Sequence, residues 1–415
     1  MNAILPAFGC TAGGIDFDVA LQRILDLVDR PLPAEAVPLE SCVGRVLREP
    51  ITARVDLPPF DQSAMDGYAV RTASLIAGAV TPVTGRTATG EPPSRLAACG
   101  VHRVLTGAAL PDGADAVIAQ EHVRRDGDLL TAAAVPPVGT NIRRCGEDIR
   151  AGTALLYPGA TLDWRHIAIM ASQGFSAIQV SRSPRVALLS TGRELCAAGQ
   201  DLAAGQIHDS NGPMLGALLT AWGASVRRVP IVADNPATMR AALRAAADGV
   251  DLVLTTAGIS VGDEDHVRDA LDALGGNLAV LKVAMKPGKP LAAGRLGRAL
   301  FVGLPGNPQA ALAGALGFVR PLLARLMDAR PLGSLRICAE FALRRTPGRT
   351  EFILARLVRR GDAFVAARTG PDGSGRLAPL LTADGFVLLP ASTAHVASGD
   401  VVTFVPFLSC GDRPR

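Results

Sequence analysis

Aromatic side chains are nearly missing from this chain: two Trp, two Tyr and 12 Phe make up 4% of its 415 residues. With so few ring faces the cores must be aliphatic, and a surface that stacks successive bases is excluded. Charge of one sign is also scarce. The net charge is +4 at neutral pH, and arginines come in pairs such as Arg143-Arg144 rather than in runs. No basic stripe is offered to a duplex, so no nucleic acid partner is expected, and any anionic ligand should be small and gripped locally. Long hydrophobic runs are absent as well. The longest, around residues 310–319, is about half a membrane span and carries two glycines. The first cation is Arg23, so the chain shows no charged start of a secretory signal. The expected setting is the cytoplasm, with no membrane partner.

The seven cysteines (Cys10, Cys42, Cys99, Cys145, Cys196, Cys338 and Cys410) lie more than 30 residues from one another. An odd number without a C-x-x-C pair predicts buried free thiols rather than disulfides or a zinc site. H-E-x-x-H and the Walker lysine loop are missing, and the one G-x-S-x-G spacing, Gly258-Ile-Ser-Val-Gly262, is not read as a nucleophile elbow, which argues against zinc hydrolases, serine hydrolases and P-loop nucleotide hydrolysis.

What the chain does have is length, with 48% apolar residues, 44 Gly and 30 Pro. That is too much for one core and predicts about two to four domains. Residues 16–30 read as a helix capped by Asp16, with Phe17, Ala20, Leu21, Ile24, Leu27 and Val28 on one face. Residues 54–148 alternate short Val/Leu/Ile runs with turn signals and read as an inserted β-rich domain. A second helix is expected at about 163–173, stopped by Gly174. Residues 1–53 and 149–183 would then form a linking domain.

Between 184 and 328 the pattern becomes β-α-β: strands at 185–190, 225–232, 252–256, 278–283 and 299–302, with helices at 212–222, 236–247, 266–274 and 308–327. This predicts a doubly wound, mainly parallel sheet. Strands return after 335, with Gly361-Asp362 as a hairpin turn, so residues 329–415 should form a small β-barrel.

Ligands of doubly wound sheets sit beyond the carboxyl ends of the strands. The loops there are polar and glycine-rich: Ser190-Thr-Gly-Arg-Glu194, Asp209-Ser-Asn211, Ala257-Gly-Ile-Ser-Val-Gly262, Lys286-Pro-Gly-Lys-Pro290 and Gly303-Leu-Pro-Gly-Asn-Pro308. Glycines admit an anion close to backbone N–H groups, and helix starts favour it. Lys282, Lys286 and Lys289 add compact charge for a phosphate or another oxyanion. Carboxylates of the same region (Glu194, Asp234 and Asp263-Glu264-Asp265) suit magnesium, which takes few protein ligands and completes its shell with water and phosphate. In the β-rich domain, residues 60–70 around Asp66, Thr106-Gly-Ala108 and Gly146-Glu-Asp148 are polar loops of the same kind.

Taken in order, these segments resemble the molybdopterin molybdenumtransferase family, which completes molybdenum cofactor assembly and includes the E domain of gephyrin. The matching pieces are Phe60-Asp-Gln-Ser-Ala-Met-Asp-Gly-Tyr-Ala-Val70, Thr106-Gly-Ala108, Asn141-Ile-Arg-Arg144 with Gly146-Glu-Asp148, Ser190-Thr-Gly192, Asp209-Ser-Asn211, Ile259-Ser-Val-Gly262, Lys282-Val-Ala-Met-Lys-Pro-Gly-Lys-Pro290 and Gly303-Leu-Pro-Gly-Asn-Pro308. The resemblance implies an elongated homodimer whose sites are shared between subunits, an adenylylated molybdopterin substrate, molybdate as second substrate, Mg²⁺, and release of AMP. Transient contact with other proteins of cofactor biosynthesis would follow. It assigns catalysis to Asp66, Thr106, Asp148, Lys282 and Lys286. Substrate binding falls to Ser190, Thr191, Gly192, Asp209, Asn211, Gly258, Ser260, Gly262, Lys289, Pro305, Pro308 and Ser374, and metal binding to Glu194, Asp234 and Asp265.

Three departures stand out. Arg193 replaces the aspartate of the family's S-T-G-D-E, Ala257 replaces the first glycine of G-G-[IV]-S-V-G, which a negative φ would accommodate, and His208 precedes Asp209. Two rival functions are separable. A molybdopterin adenylyltransferase would form adenylate from ATP and free molybdopterin, whereas a gephyrin-like scaffold would release no AMP under any condition.

Overall fold

Asp16 opens the first helix, Phe17–Leu25, by accepting from the N–H groups of Asp18 and Val19 at 2.9 and 3.4 Å, donors that a helix start otherwise leaves orphaned. The helix is shorter than its apolar spacing predicts, because Asp26 already caps its end. The computed structural model describes residues 14–257, 266–331, 333–370 and 373–407. They belong to two compact units: one holds residues 49–157 and 166–176, the other the rest of the chain.

In the larger unit a six-stranded sheet runs in the order Ser225–Arg228, Arg185–Ser190, Leu252–Thr256, Ala299–Leu304, Ala292–Leu296, Asn277–Leu281. Its first four strands are parallel. Alternate side chains of each apolar strand serve opposite helical layers. Val186 and Leu188 join one buried cluster with Leu215, Leu219 and Leu312, while Ala187 and Leu189 join another with Met239, Leu243 and Val267. The sheet is therefore doubly wound, as the strand and helix alternation predicts.

Strand Ala292–Leu296 was not expected. It pairs antiparallel with both Ala299–Leu304 and Asn277–Leu281, and its sequence, Ala-Ala-Gly-Arg-Leu, carries no β-branched residue. Gly294 explains the close fit: a Cβ there would lie 1.9 Å from the Asn277 carbonyl oxygen, so only glycine lets these backbones approach.

Pro308–Met327 is one helix with a widened turn at Ala315–Val319, where the Arg320 N–H reaches the Ala315 carbonyl. Pro321 has no N–H to return to the preceding turn, and the local π geometry absorbs that loss. Among the described residues this is the one helix long and apolar enough to cross a membrane, and 72% of that stretch is buried inside the fold, the situation of a core helix.

The C-terminal strands close on themselves. Thr350–Arg360, Ala363–Arg368, Leu335–Ala339, Val401–Pro406 and Gly385–Leu389 pair in a ring that returns to Thr350–Arg360. Ile353, Ala355, Val387 and Phe404 are buried in its core. The expected hairpin turn holds: Arg360 faces Ala363 across Gly361, whose φ is +58°. A further strand, Met285–Lys286, joins in parallel beside Thr350 and Glu351. The lysine segment is thus hydrogen-bonded into the barrel.

The smaller unit carries a sheet in the order Ala116–Ala119, Gly67–Val70, Val101–Val104, Val80–Thr87, Leu129–Ala132, Val123–Asp126, around a core that includes Tyr68, Val101, Ile118 and Leu130. Of the five cysteines in described residues all are free, but Cys99, Cys145 and Cys338 are exposed. The expectation of burial holds only for Cys42 and Cys196. Ala257 takes φ +67°, so the negative φ that would have accommodated alanine is not what the backbone adopts.

Candidate functional site

The segment around Lys286 is built by the sheet that precedes it. Strand Asn277–Leu281 ends at Lys282, whose φ is +59°. A left-handed non-glycine residue costs about 1–2 kcal/mol, and two hydrogen bonds hold it there: its N–H donates to Leu291 O and its carbonyl accepts from Ile15 N, both at 2.9 Å. Lys282 is half-buried, and no described carboxylate lies within ion-pair distance of it.

Beyond this turn the chain borders a cavity of about 610 Å³. Lys286, Lys289, Arg344, Arg345, Arg349 and Arg368 line it, and Glu351 is the one carboxylate among the described lining residues. Lys286 Nζ lies 2.6 Å from Glu351 Oε1, and Arg345 Nε 2.8 Å from Glu351 Oε2. Asn307, Pro305 and Ser374 contribute the opposite lining. The helix start at Pro308 is tied to the Ser374 loop, since Gln309 N donates to Ser374 O at 3.0 Å and Gln309 Nε2 to Arg376 O at 2.7 Å. Six cations and one carboxylate among the described lining residues, with a helix N-terminus beside them, give a positive lining that suits a multiply charged anion.

The loops at the other strand ends are buried and polar. Ser190 and Thr191 are buried, and Thr191 Oγ1 donates to Thr256 O at 3.3 Å. At Gly192 an added Cβ would meet the Glu194 carboxylate at 2.5 Å, so Glu194 folds back over the glycine. Asp209 is buried and accepts from Gly212 N at 2.9 Å, with Arg228 3.7 Å away, so it orders the loop from within. Asn211 Nδ2 donates to Gly306 O at 2.6 Å, joining two loops, while its Oδ1 is buried with no donor among the described residues. Glu194 is exposed and Asp234 half-buried on neighbouring strand ends, where Thr191 pairs with Val232. Among the described residues no three His, Cys, Asp or Glu side chains cluster for a metal. Gly258, Ser260, Gly262 and Asp265 lie outside the described residues.

In the smaller unit the structure brings Asp66 and Thr106 together. Asp66 Oδ1 accepts from Thr106 N at 2.7 Å and from Thr106 Oγ1 at 2.8 Å. These two bonds, backbone first, hold the Asp66 carboxyl below its ordinary range. Asp148 is exposed and fixed by its backbone N–H, which donates to Leu57 O at 3.0 Å. Nearby, Asp61 accepts from Arg144 Nη1 at 2.6 Å and from Cys145 N at 2.8 Å.

The sequence reading missed the barrel's share: Arg345, Arg349, Glu351 and Arg368. Composition offered no signal for those four residues; it marked only the lysine segment they face. All three lysines of the chain fall within residues 282–289, although Lys and Arg together number 42. Everywhere else arginine supplies the positive charge, so the segment that needs a compact ammonium marks itself.

Comparison with known proteins covers nearly all of this architecture. Residues 15–174 match the model described as MoeA N-terminal region (domain I and II), residues 187–325 a probable molybdopterin binding domain, and residues 337–407 the MoeA C-terminal region (domain IV). The chain is 34% identical over 409 residues to a molybdopterin molybdenumtransferase of Haemophilus influenzae, covering 95% of this chain and 98% of that one. It is 35% identical over 394 residues to molybdopterin molybdenumtransferase 2 of Mycobacterium tuberculosis, covering 91% and 96%. Among solved structures it is similar to a molybdopterin biosynthesis MoeA protein from Pyrococcus horikoshii OT3, with 27% identity, a TM-score of 0.80, and coverage of 94% of this chain and 99% of that one.

Proposed function

The chain belongs to the molybdopterin molybdenumtransferase family, and from that premise we propose how its residues divide the work. The protein is an enzyme of molybdenum cofactor biosynthesis that inserts molybdenum into molybdopterin. The finer reading is that the pterin arrives adenylylated, that molybdate is the second substrate, and that AMP leaves. The cavity beside Lys286 carries this reading: a site with six cations against one carboxylate among its described lining residues suits a dianion such as molybdate and the phosphates of an adenylylated pterin. Lys286 and Lys289 would bind the oxyanion, and Ser374, Pro305 and Pro308 would shape its pocket. Lys282, fixed in its turn, would face the phosphates.

Ser190, Thr191, Gly192, Asp209 and Asn211 would hold the pterin, as would Gly258, Ser260 and Gly262. The buried, donorless Oδ1 of Asn211 fits an N–H of that ring system. Glu194 and Asp234, at adjacent strand ends, fit the one or two carboxylates that Mg²⁺ uses beside phosphate, and Asp265 would be the third. Arg193 stands where a further carboxylate would be, so the phosphates must supply more of the shell. The ion, when bound, offsets charge on the breaking phosphate linkage. Asp66, Thr106 and Asp148 would complete the site from a second subunit in a homodimer.

The test is direct. The purified protein, given adenylylated molybdopterin, molybdate and Mg²⁺, should release AMP in step with molybdate added. No release with any oxyanion or divalent cation would sink the reading.

A further inference from the structure

Resting on the reading that the cavity beside Lys286 takes the oxyanion, we infer that Glu351 is a positioning residue for the reaction, acting through the Lys286 ammonium. Among the described lining residues it is the one carboxylate of an anion site, and a carboxylate there opposes anion binding by its charge. Something other than affinity must be gained by it.

Geometry shows what. The Glu351 side chain is 9% exposed and its two oxygens are divided, Oε1 to Lys286 Nζ at 2.6 Å and Oε2 to Arg345 Nε at 2.8 Å. Arg345 is itself tied to the barrel backbone. Its side chain is 7% exposed, and its remaining donors go to Pro390 O and Thr393 O, both at 2.9 Å, and to Arg349 O. The barrel therefore anchors Arg345, Arg345 anchors Glu351, and Glu351 fixes the Lys286 ammonium. The backbone repeats the link, because Lys286 pairs with Glu351 in the parallel register. Lys286 keeps 56% of its side chain exposed, and an ammonium has three donors, so it is pinned at one donor and open at the others. A flexible four-carbon stem would otherwise spread the charge over several positions. Turnover depends on placement, where about 1 Å of error can cost on the order of 100-fold.

Charge and placement separate in two variants. Glu351→Gln removes the opposing charge and the strong tether, so turnover at saturating molybdate should fall about tenfold while KM for molybdate stays level or drops. Glu351→Asp keeps the charge but withdraws it by about 1.5 Å, so turnover should fall by a similar factor with KM unchanged. Because it retains a carboxylate for Arg345, it also serves if the Gln variant does not fold. A second readout needs no turnover. With only three lysines in the chain, ¹³C-methylation of the full-length protein gives three lysine resonances beside the amino terminus, assigned with a Lys286→Arg variant. Glu351→Gln should move the Lys286 resonance before any anion is added. Wild-type turnover in either folded variant, or a raised KM with unchanged turnover, overturns the positioning role. If calorimetry and the lysine resonances of the wild type both ignore molybdate, the cavity reading itself has failed, and the role assigned to Glu351 falls with it.

Discussion

Replacing Ala257 by glycine should stabilise this protein, the reverse of what removing a side chain at the end of a buried strand usually does. Ala257 follows Leu252–Thr256, is half-buried, and has φ +67°. Holding an L-residue there costs about 1–2 kcal/mol. Glycine relieves that, but it widens the freedom of the unfolded chain by about 0.4–1 kcal/mol. It also gives up a half-buried methyl, roughly 0.4 kcal/mol at about 0.8 kcal/mol for a full one. The balance is a gain of about 0.5 kcal/mol, or roughly 1–2 °C in the melting temperature of a domain of this size. Ala257→Val makes the contrast: a β-branched residue is a poorer occupant of the left-handed region, and its melting temperature should fall by several degrees. Thermal unfolding followed by circular dichroism reads both variants against the parent. If φ were negative here, glycine would instead cost about 0.5–1 kcal/mol. A lower melting temperature for the glycine variant therefore refutes the reasoning outright.

Other consequences are as readily checked. Lys286→Ala should abolish molybdate-dependent AMP release and leave the melting temperature within about a degree, and Asp66→Ala should do the same. Mixing the two inactive proteins should restore part of the activity if sites are shared between subunits, whereas sites built from one chain cannot recover. Thr106→Ala removes the hydroxyl, one of the two donors that keep Asp66 acidic, and leaves the backbone N–H in place, so the acidic limb of the pH–rate profile should move part of the way to higher pH; a limb that stays put would dissociate Asp66 from that ionisation. His102 is buried against Thr87 and Ser94, and burial lowers its pKa. The neutral ring is favoured in the fold, so its contribution is complete above the unfolded value of about 6.5 and is lost as pH falls below it. Urea unfolding of His102→Gln should show a flatter loss of stability between about pH 7 and pH 5 than the parent does.

Much of the architecture was legible because it rests on local periodicity. Strand Arg185–Ser190 and strand Leu252–Thr256 fell at the expected residues, since an uninterrupted apolar run between turn residues leaves little choice. Strand Ala292–Leu296 escaped because its reason is a neighbour's backbone, not its own side chains. The candidate site divides along the same line. Its strand-end loops announced themselves by glycine and polarity, and the Thr106 clamp on Asp66 joins two segments singled out for their composition. Arg345 and Glu351 gave no such sign. Their meaning comes from a register between a barrel strand and a two-residue strand 65 positions earlier, and nothing in either segment's composition encodes that pairing.

The lysine distribution has a practical side. For an endoprotease that cuts after lysine, Lys286-Pro287 and Lys289-Pro290 are poor substrates because a proline follows, which leaves Lys282-Val283 as the one favourable bond in 415 residues. That bond is hydrogen-bonded on both flanks and lies just before Met285, where the chain begins to line the cavity. A single scission, separating the chain into two fragments of known length, would therefore time the local opening of this turn apart from the unfolding of everything around it.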